Sequence, residues 1–200
     1  RRHTRYISVT GVQTCALPIL PDLFHRLFGL PQGTLGWPIA LTYGLAACGA
    51  LTGGWLPTRL IAGGWSVNRA RKTTMLVYAL LVTPVPLVLS VQSPWAAALL
   101  LGLGLFAHQG FSTNVFGVAT DVTPARAVGS TIGIAAFCGN LCSIGMIQFQ
   151  AWALGHGLGY TPALVICATS YLLALLAIHL LIPRIVAVEP EDGAPLVVAH

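Results

Sequence analysis

The chain has 200 residues, 56% of them hydrophobic and only 8% charged, with a mean hydropathy of +0.79. Soluble domains carry about 25% charged residues, so a water-exposed globule is excluded, and the long apolar runs point to membrane spans of about 20 residues each. The formal charge of +5 and pI near 9.2 raise nucleic acid as a partner, but no basic stripe with interleaved aromatics exists. Lys and Arg instead sit in short loops between apolar runs, which is the pattern of membrane topology.

Residues 1–19, RRHTRYISVTGVQTCALPI, lack the apolar core of a signal peptide. Back-translated, Val9 to Ile19 and Arg1 to Arg5 match the two constant parts of a common sequencing-library adapter, in consistent order. Tyr6 to Ser8 then span its variable index. The expectation is that this stretch is an artefact and that the native protein begins upstream of Leu20. From Leu20 onward there are 7 basic and 5 acidic residues, a balance of +2.

Residues 20–34, LPDLFHRLFGLPQGT, read as the end of a span and an external loop. Span one is expected over Leu35–Leu56, with a loop from residue 57 to residue 72 carrying Arg59, Arg69, Arg71 and Lys72. Span two runs Thr73–Ser90, with Thr83-Pro-Val-Pro86 in its middle, where proline kinks a helix. Span three covers Trp95 to about Val118. A short charged loop, TDVTPARA, follows, in which Thr123 is expected to N-cap with Pro124 in the first helical position. Span four covers Ala127 to about Leu154, and span five Pro162–Ile182. Residues 184–200 form a polar tail.

If the spans alternate, the loops at 57–72 and 119–126 and the tail share one side. That side holds Arg59, Arg69, Arg71, Lys72, Arg126 and Arg184, against Arg26 alone on the other. Six against one is a positive-inside bias that makes this side cytoplasmic.

The stretch GLFAHQGFSTNVFG, residues 104–117, places five polar side chains inside span three. Helical rise puts His108 and Gln109 near the bilayer midplane, with Ser112 on the same face. Polar groups facing lipid without a partner cost several kcal/mol, so this face looks at protein or at a water-filled path. Asn140 and Ser143 of span four fall at similar depth, and Tyr43 is the bulkiest polar group of span one. Midplane polar groups on separate helices suit a solute site, and an ionisable intramembrane residue is a functional candidate. Helix-to-helix hydrogen bonding, at about 0.6 kcal/mol per bond, is the simpler reading for Ser112, Thr113 and Ser143. Asn114 points elsewhere and reads as a capping or gating group. His179 snorkels near the cytoplasmic end.

Gly129, Gly133, Ala135, Ala136, Gly139 and Gly145 make a small-residue face expected to pack against neighbouring helices. Cys48, Cys138, Cys142 and Cys167 read as small apolar packing residues, with no metal set and no cofactor. A membrane serine hydrolase is disfavoured. His108 and Ser112 share one helix, and no nucleophile elbow surrounds the serine.

The stretches GGWLPTRLIAGGWSVNRARK, AHQGFSTNVFGVATDVTPARAVGS, GNLCSIG and YLLALLAIHLLIPR together resemble the second half of the anion:cation symporters of the major facilitator superfamily. The nearest likeness is to bacterial hexuronate and related sugar-acid transporters. The resemblance implies an all-α protein of twelve helices in two halves, of which this chain carries the end of helix seven and helices eight to twelve, the latter over residues 35–183. It implies a proton-coupled symporter of small organic anions such as hexuronates or aldonates in the bacterial inner membrane, with no enzymatic activity, no nucleic-acid partner and a cytoplasmic C-terminus. His108, Gln109, Ser112, Asn140 and Tyr43 then contact substrate. Gly53, Gly54, Arg59, Arg69, Arg71 and Lys72 match a cytoplasmic gating signature, with Thr58 where the family carries an acid. The coupling carboxylates belong to the missing N-terminal half, because none lies within these spans. The alternatives are a non-transporting membrane subunit or sensor and, less favoured, the hydrolase.

Overall fold

The computed structural model describes residues 23–25, 28, 29, 34 and 36–185. The adapter-like residues 1–19, Arg26, most of the segment 20–34 and the tail from residue 186 lie outside the described residues.

From Gly36 onward five long helices order the chain: α1 (Gly36–Ala62), α2 (Val67–Val82), α3 (Pro94–Asp121), α4 (Val128–Gly155) and α5 (Thr161–Leu181). Short 3-10 turns at Val85–Ser90 and Ala125–Ala127 continue α2 and precede α4. No strand occurs among the described residues. Each of the five segments is long and apolar enough to cross a membrane.

Glycine and serine set the first connection. Gly64 takes φ +89°, a left-handed conformation that favours glycine. Its N–H donates to Ile61 O at 2.9 Å and the Trp65 N–H to Leu60 O at 3.1 Å, closing α1 with a Schellman motif. Ser66 then N-caps α2 by accepting from the Arg69 N–H at 3.3 Å. The same closure ends α4, where Gly157 at φ +76° donates to Leu154 O and Leu158 to Ala153 O.

Three boundaries differ from the sequence reading. The expected loop from 57 to 72 shrinks to residues 63–66, because α1 passes through Pro57 and α2 begins at Val67. The TPVP stretch ends α2 instead of kinking it. Pro84 has no N–H for Leu80 O, and Thr83 supplies its hydroxyl there at 2.7 Å. Thr123 does not cap α4: Pro124 is extended (φ −56°, ψ 143°) and caps the intervening 3-10 turn, while Ala127 precedes α4 without a side-chain cap.

α1 and α3 form the largest helix interface, and they run parallel. Thr42 donates to Ala98 O, and a Cβ on Gly102 would meet Leu45. Cβ atoms on Gly49 and Gly53 would collide with the backbone of Phe106 and Gly110. Each pair is offset by 56 or 57 positions, so the register holds for three turns. Close approach without side chains is the glycine mode of membrane helix packing. α2 returns antiparallel between them, burying Met75, Tyr78, Ala79 and Val82. The Tyr78 ring covers Gly110, and its hydroxyl donates to Thr52 Oγ1 at 3.0 Å.

α5 lies against α2. Lys72 Nζ donates to Ile182 O (2.8 Å) and Pro183 O (2.9 Å) beyond the end of α5, and the Ile185 N–H donates to Asn68 Oδ1 at 3.1 Å. The ends of α1, α3 and α5 and the start of α2 therefore share one side. Arg59, Arg69, Arg71, Lys72, Arg126 and Arg184 lie at those ends, as alternation of the spans requires.

α4 is the peripheral element and touches its neighbours sparsely. Ile134, Phe137, Leu141 and Ile144 are exposed, and a Cβ on Gly129, Gly133, Gly139 or Gly145 would meet nothing within 4 Å. The small-residue face expected to pack thus meets nothing among the described residues; α1 and α3 supply glycines that make helix contacts.

Candidate functional site at the helix midpoints

His108 sits at the middle of the 28-residue α3, and Tyr171 at the middle of the 21-residue α5. Their side chains meet there. His108 Nδ1 and Tyr171 Oη are 2.5 Å apart. Phe111, one turn along α3, sets its ring edge-on to Tyr171 at 5.2 Å and 86°, which fixes the tyrosine plane. The other imidazole nitrogen, Nε2, is buried and has no hydrogen-bond partner among the described residues. An unpaired buried ring nitrogen costs about 1–3 kcal/mol, which makes Nε2 a candidate contact for a polar ligand.

The remaining expected site residues distribute unevenly. Gln109 and Ser112 are half-buried on α3 beside His108. Among the described residues no hydrogen bond joins His108 to Ser112, which leaves the serine without a base. Tyr43 of α1 also buries a hydroxyl that has no partner among the described residues. By the parallel register it stands level with Leu100, eight residues or about 12 Å of helical rise from His108. Asn140 does lie midway along α4, but it is exposed, and its Nδ2 donates to Ala136 O of its own helix at 3.0 Å. The chain therefore joins His108 to Tyr171 and leaves Tyr43 and Asn140 apart from that pair.

The expected gating residues occupy three kinds of place. Gly53 is buried at the α1–α3 crossing, and Gly54 follows it. Arg59 is exposed in the last turn of α1, and Arg69 lies 4.2 Å over the Trp65 ring. Arg71 pairs with Asp121 at the end of α3, Nε to Oδ2 at 3.1 Å and a terminal nitrogen to Oδ1 at 3.5 Å. Gly117 makes room for that guanidinium, since a Cβ there would collide with it. Lys72 caps α5 as described above. Thr58, at the position where the family carries an acid, donates to Gly54 O of its own helix; the carboxylate that Arg71 meets is Asp121.

Two residues with clear roles escaped sequence reasoning. Tyr171 lies within a long apolar run, and only its central position signalled its use. Asn114, read as a capping or gating group, is fully buried. Its Nδ2 donates to Gly53 O at 2.9 Å across the helix interface and to Gly110 O at 2.9 Å in its own helix. Gly53 O is the carbonyl that Pro57, four residues on, cannot serve. Asn114 therefore supplies the N–H that the proline removed.

No family model matches the chain. Over 162 residues it is 28% identical to a D-galactonate transporter of Escherichia coli O6:H1, a match that takes in 81% of this chain and 37% of that protein. The chain thus spans little more than a third of the length of the curated relative it matches. With five membrane-length helices and this likeness, it is a multi-pass membrane protein.

Proposed function

We propose that this chain forms part of a secondary transporter for small organic anions of the sugar-acid class, hexuronates and aldonates, working by proton-coupled symport in a bacterial inner membrane. The likeness to a D-galactonate transporter carries the reading. It is supported by the imidazole–phenol pair at the helix midpoints, the depth at which alternating-access transporters hold solute. In this reading residues 35–183 are helices eight to twelve of a twelve-helix major facilitator bundle, with the C-terminus and the Arg- and Lys-bearing loops in the cytoplasm. The open face of α4, with Asn140 at its centre, turns toward the N-terminal half, which also supplies the coupling carboxylates. His108, Gln109, Ser112, Asn140 and Tyr43 line the solute path. Arg71 and Lys72 clasp the cytoplasmic ends of α2, α3 and α5 as the halves rock.

The test is a chimera in which residues 36–185 replace the matching segment of the E. coli D-galactonate transporter. It is expected to accumulate labelled D-galactonate and to lose that accumulation with a protonophore. A chimera present in the membrane at parental levels that neither binds nor accumulates galactonate would refute the proposal.

A further inference from the structure

A neutral imidazole carries a proton on one nitrogen and a lone pair on the other, and the hydrogen bond made by one nitrogen decides the role of its partner. His108 offers two arrangements. In the first, the Tyr171 O–H donates to a bare Nδ1 and the ring proton stays on Nε2. In the second, Nδ1–H donates to the phenol oxygen, and Nε2 is a bare acceptor.

The geometry favours the first. A separation of 2.5 Å is shorter than the roughly 2.7–3.2 Å usual when an N–H donates to oxygen, which counts against the second arrangement. The bare imidazole nitrogen, whose conjugate acid has a reference pKa of about 6.5, is a far better acceptor than a neutral phenol oxygen, and a phenol O–H, of reference pKa about 10, is more acidic than the N–H of a neutral imidazole. In the second arrangement the phenol oxygen would accept in place of the more basic nitrogen, and the tyrosine hydrogen would turn to Cys167, one turn back in α5, whose sulfur is only a weak acceptor. Phe111 holds the Tyr171 ring edge-on, so the hydroxyl reaches His108 without searching rotamers.

We infer that Tyr171 is a positioning residue for His108: its hydroxyl donates to Nδ1, keeps the ring proton on Nε2, and so presents an N–H donor to an acceptor oxygen, carboxylate or hydroxyl, of the transported anion. This rests on the reading of His108 as a solute contact. It adds the pathway's chemical sign at this point, an uncharged donor. Acceptor-rich sugar acids satisfy such a donor; a solute presenting only N–H donors or a cation does not. Metal-site histidines use the same device, with a partner at one nitrogen fixing what the other does.

The test is ¹⁵N-histidine NMR of the full chain in lipid nanodiscs, assigning the His108 ring by comparison with His108→Gln. The expected result is an N–H at Nε2 and a bare, hydrogen-bonded Nδ1. Tyr171→Phe, which keeps the ring contact with Phe111, should shift the population toward Nδ1–H. A ring already protonated on Nδ1, or a tautomer ratio indifferent to Tyr171→Phe, would overturn the inference. D-galactonate added to the parental chimera described above should bind about 3- to 10-fold more weakly after Tyr171→Phe, the loss of one neutral hydrogen bond's worth of ordering. Tyr171→Phe should have no further effect once His108→Gln is in place. If galactonate leaves the Nε2 resonance of the binding chimera unmoved while the tautomer responds to Tyr171→Phe, the solute-site reading fails and the positioning role stands.

Discussion

Replacing Asn114 by leucine removes its side-chain donor while keeping nearly its volume, and the consequence depends on Pro57. With proline in place, Gly53 O has no helical N–H, and Asn114 Nδ2 at 2.9 Å is its partner. Leucine leaves a buried carbonyl unpaired, a loss of about 1–3 kcal/mol. Gly110 O loses little, because the backbone N–H of residue 114 still serves it within the helix. In a Pro57→Ala background the backbone N–H restored at position 57 takes Gly53 O, so Asn114→Leu should then cost only about 0.5 kcal/mol. The coupling between the two sites is therefore expected at about 1–2 kcal/mol. Asn114 Oδ1, which is buried with no partner among the described residues, is lost in both backgrounds and cancels from the cycle. The assay is reversible unfolding in mixed micelles titrated with SDS, on the chain, both single variants and the double variant. A coupling below about 0.3 kcal/mol, the level at which independent sites simply add, would refute the claim that Asn114 replaces the proline's missing donor.

Other outcomes follow from the same contacts. Arg71→Gln and Asp121→Asn should each destabilise the chain by about 1–2 kcal/mol, and the double variant by no more than the worse single, since each breaks the same pair; additive losses would disprove the pairing. Gly49→Val should lose at least about 2 kcal/mol by forcing α1 and α3 apart, whereas Gly139→Ala should be within about 0.5 kcal/mol, because nothing faces it; thermal unfolding with equal losses at both positions would contradict the packing described. Lys72→Met releases the Ile182 and Pro183 carbonyls just past α5, so amide exchange over Ile178–Leu181 should accelerate, and unchanged protection would argue against the clasp. The chain alone, reconstituted in liposomes, should not take up labelled galactonate, and uptake would refute the need for a second half.

Much of the architecture was legible because membranes impose simple rules. Length and hydropathy located all five spans to within a few residues except at α1 and α2. The charge bias grouped the ends of α1, α3 and α5 on one side. His108 at mid-depth was readable from helical rise alone. Less legible were features that depend on which helix faces which. Pro57 looked like a loop boundary, because its missing hydrogen bond is repaired by Asn114 of a different helix. Tyr171 was invisible as a partner because nothing in its own apolar helix says that it meets α3. The glycines of α4 and those of α1 and α3 look alike in sequence, yet only the latter meet a neighbour in this chain.

The central claim is that the α3 midplane faces a solute path. Single cysteines at positions 108, 109 and 112, with Leu99 on the exposed face as control, in a cysteine-free galactonate-transporter chimera give the most direct measurement. A membrane-impermeant thiol reagent is expected to label the first three in at least one conformation, with D-galactonate slowing that labelling and position 99 staying unreactive. Cysteines at 108, 109 and 112 that resist labelling in every conformation, with or without galactonate, would contradict it.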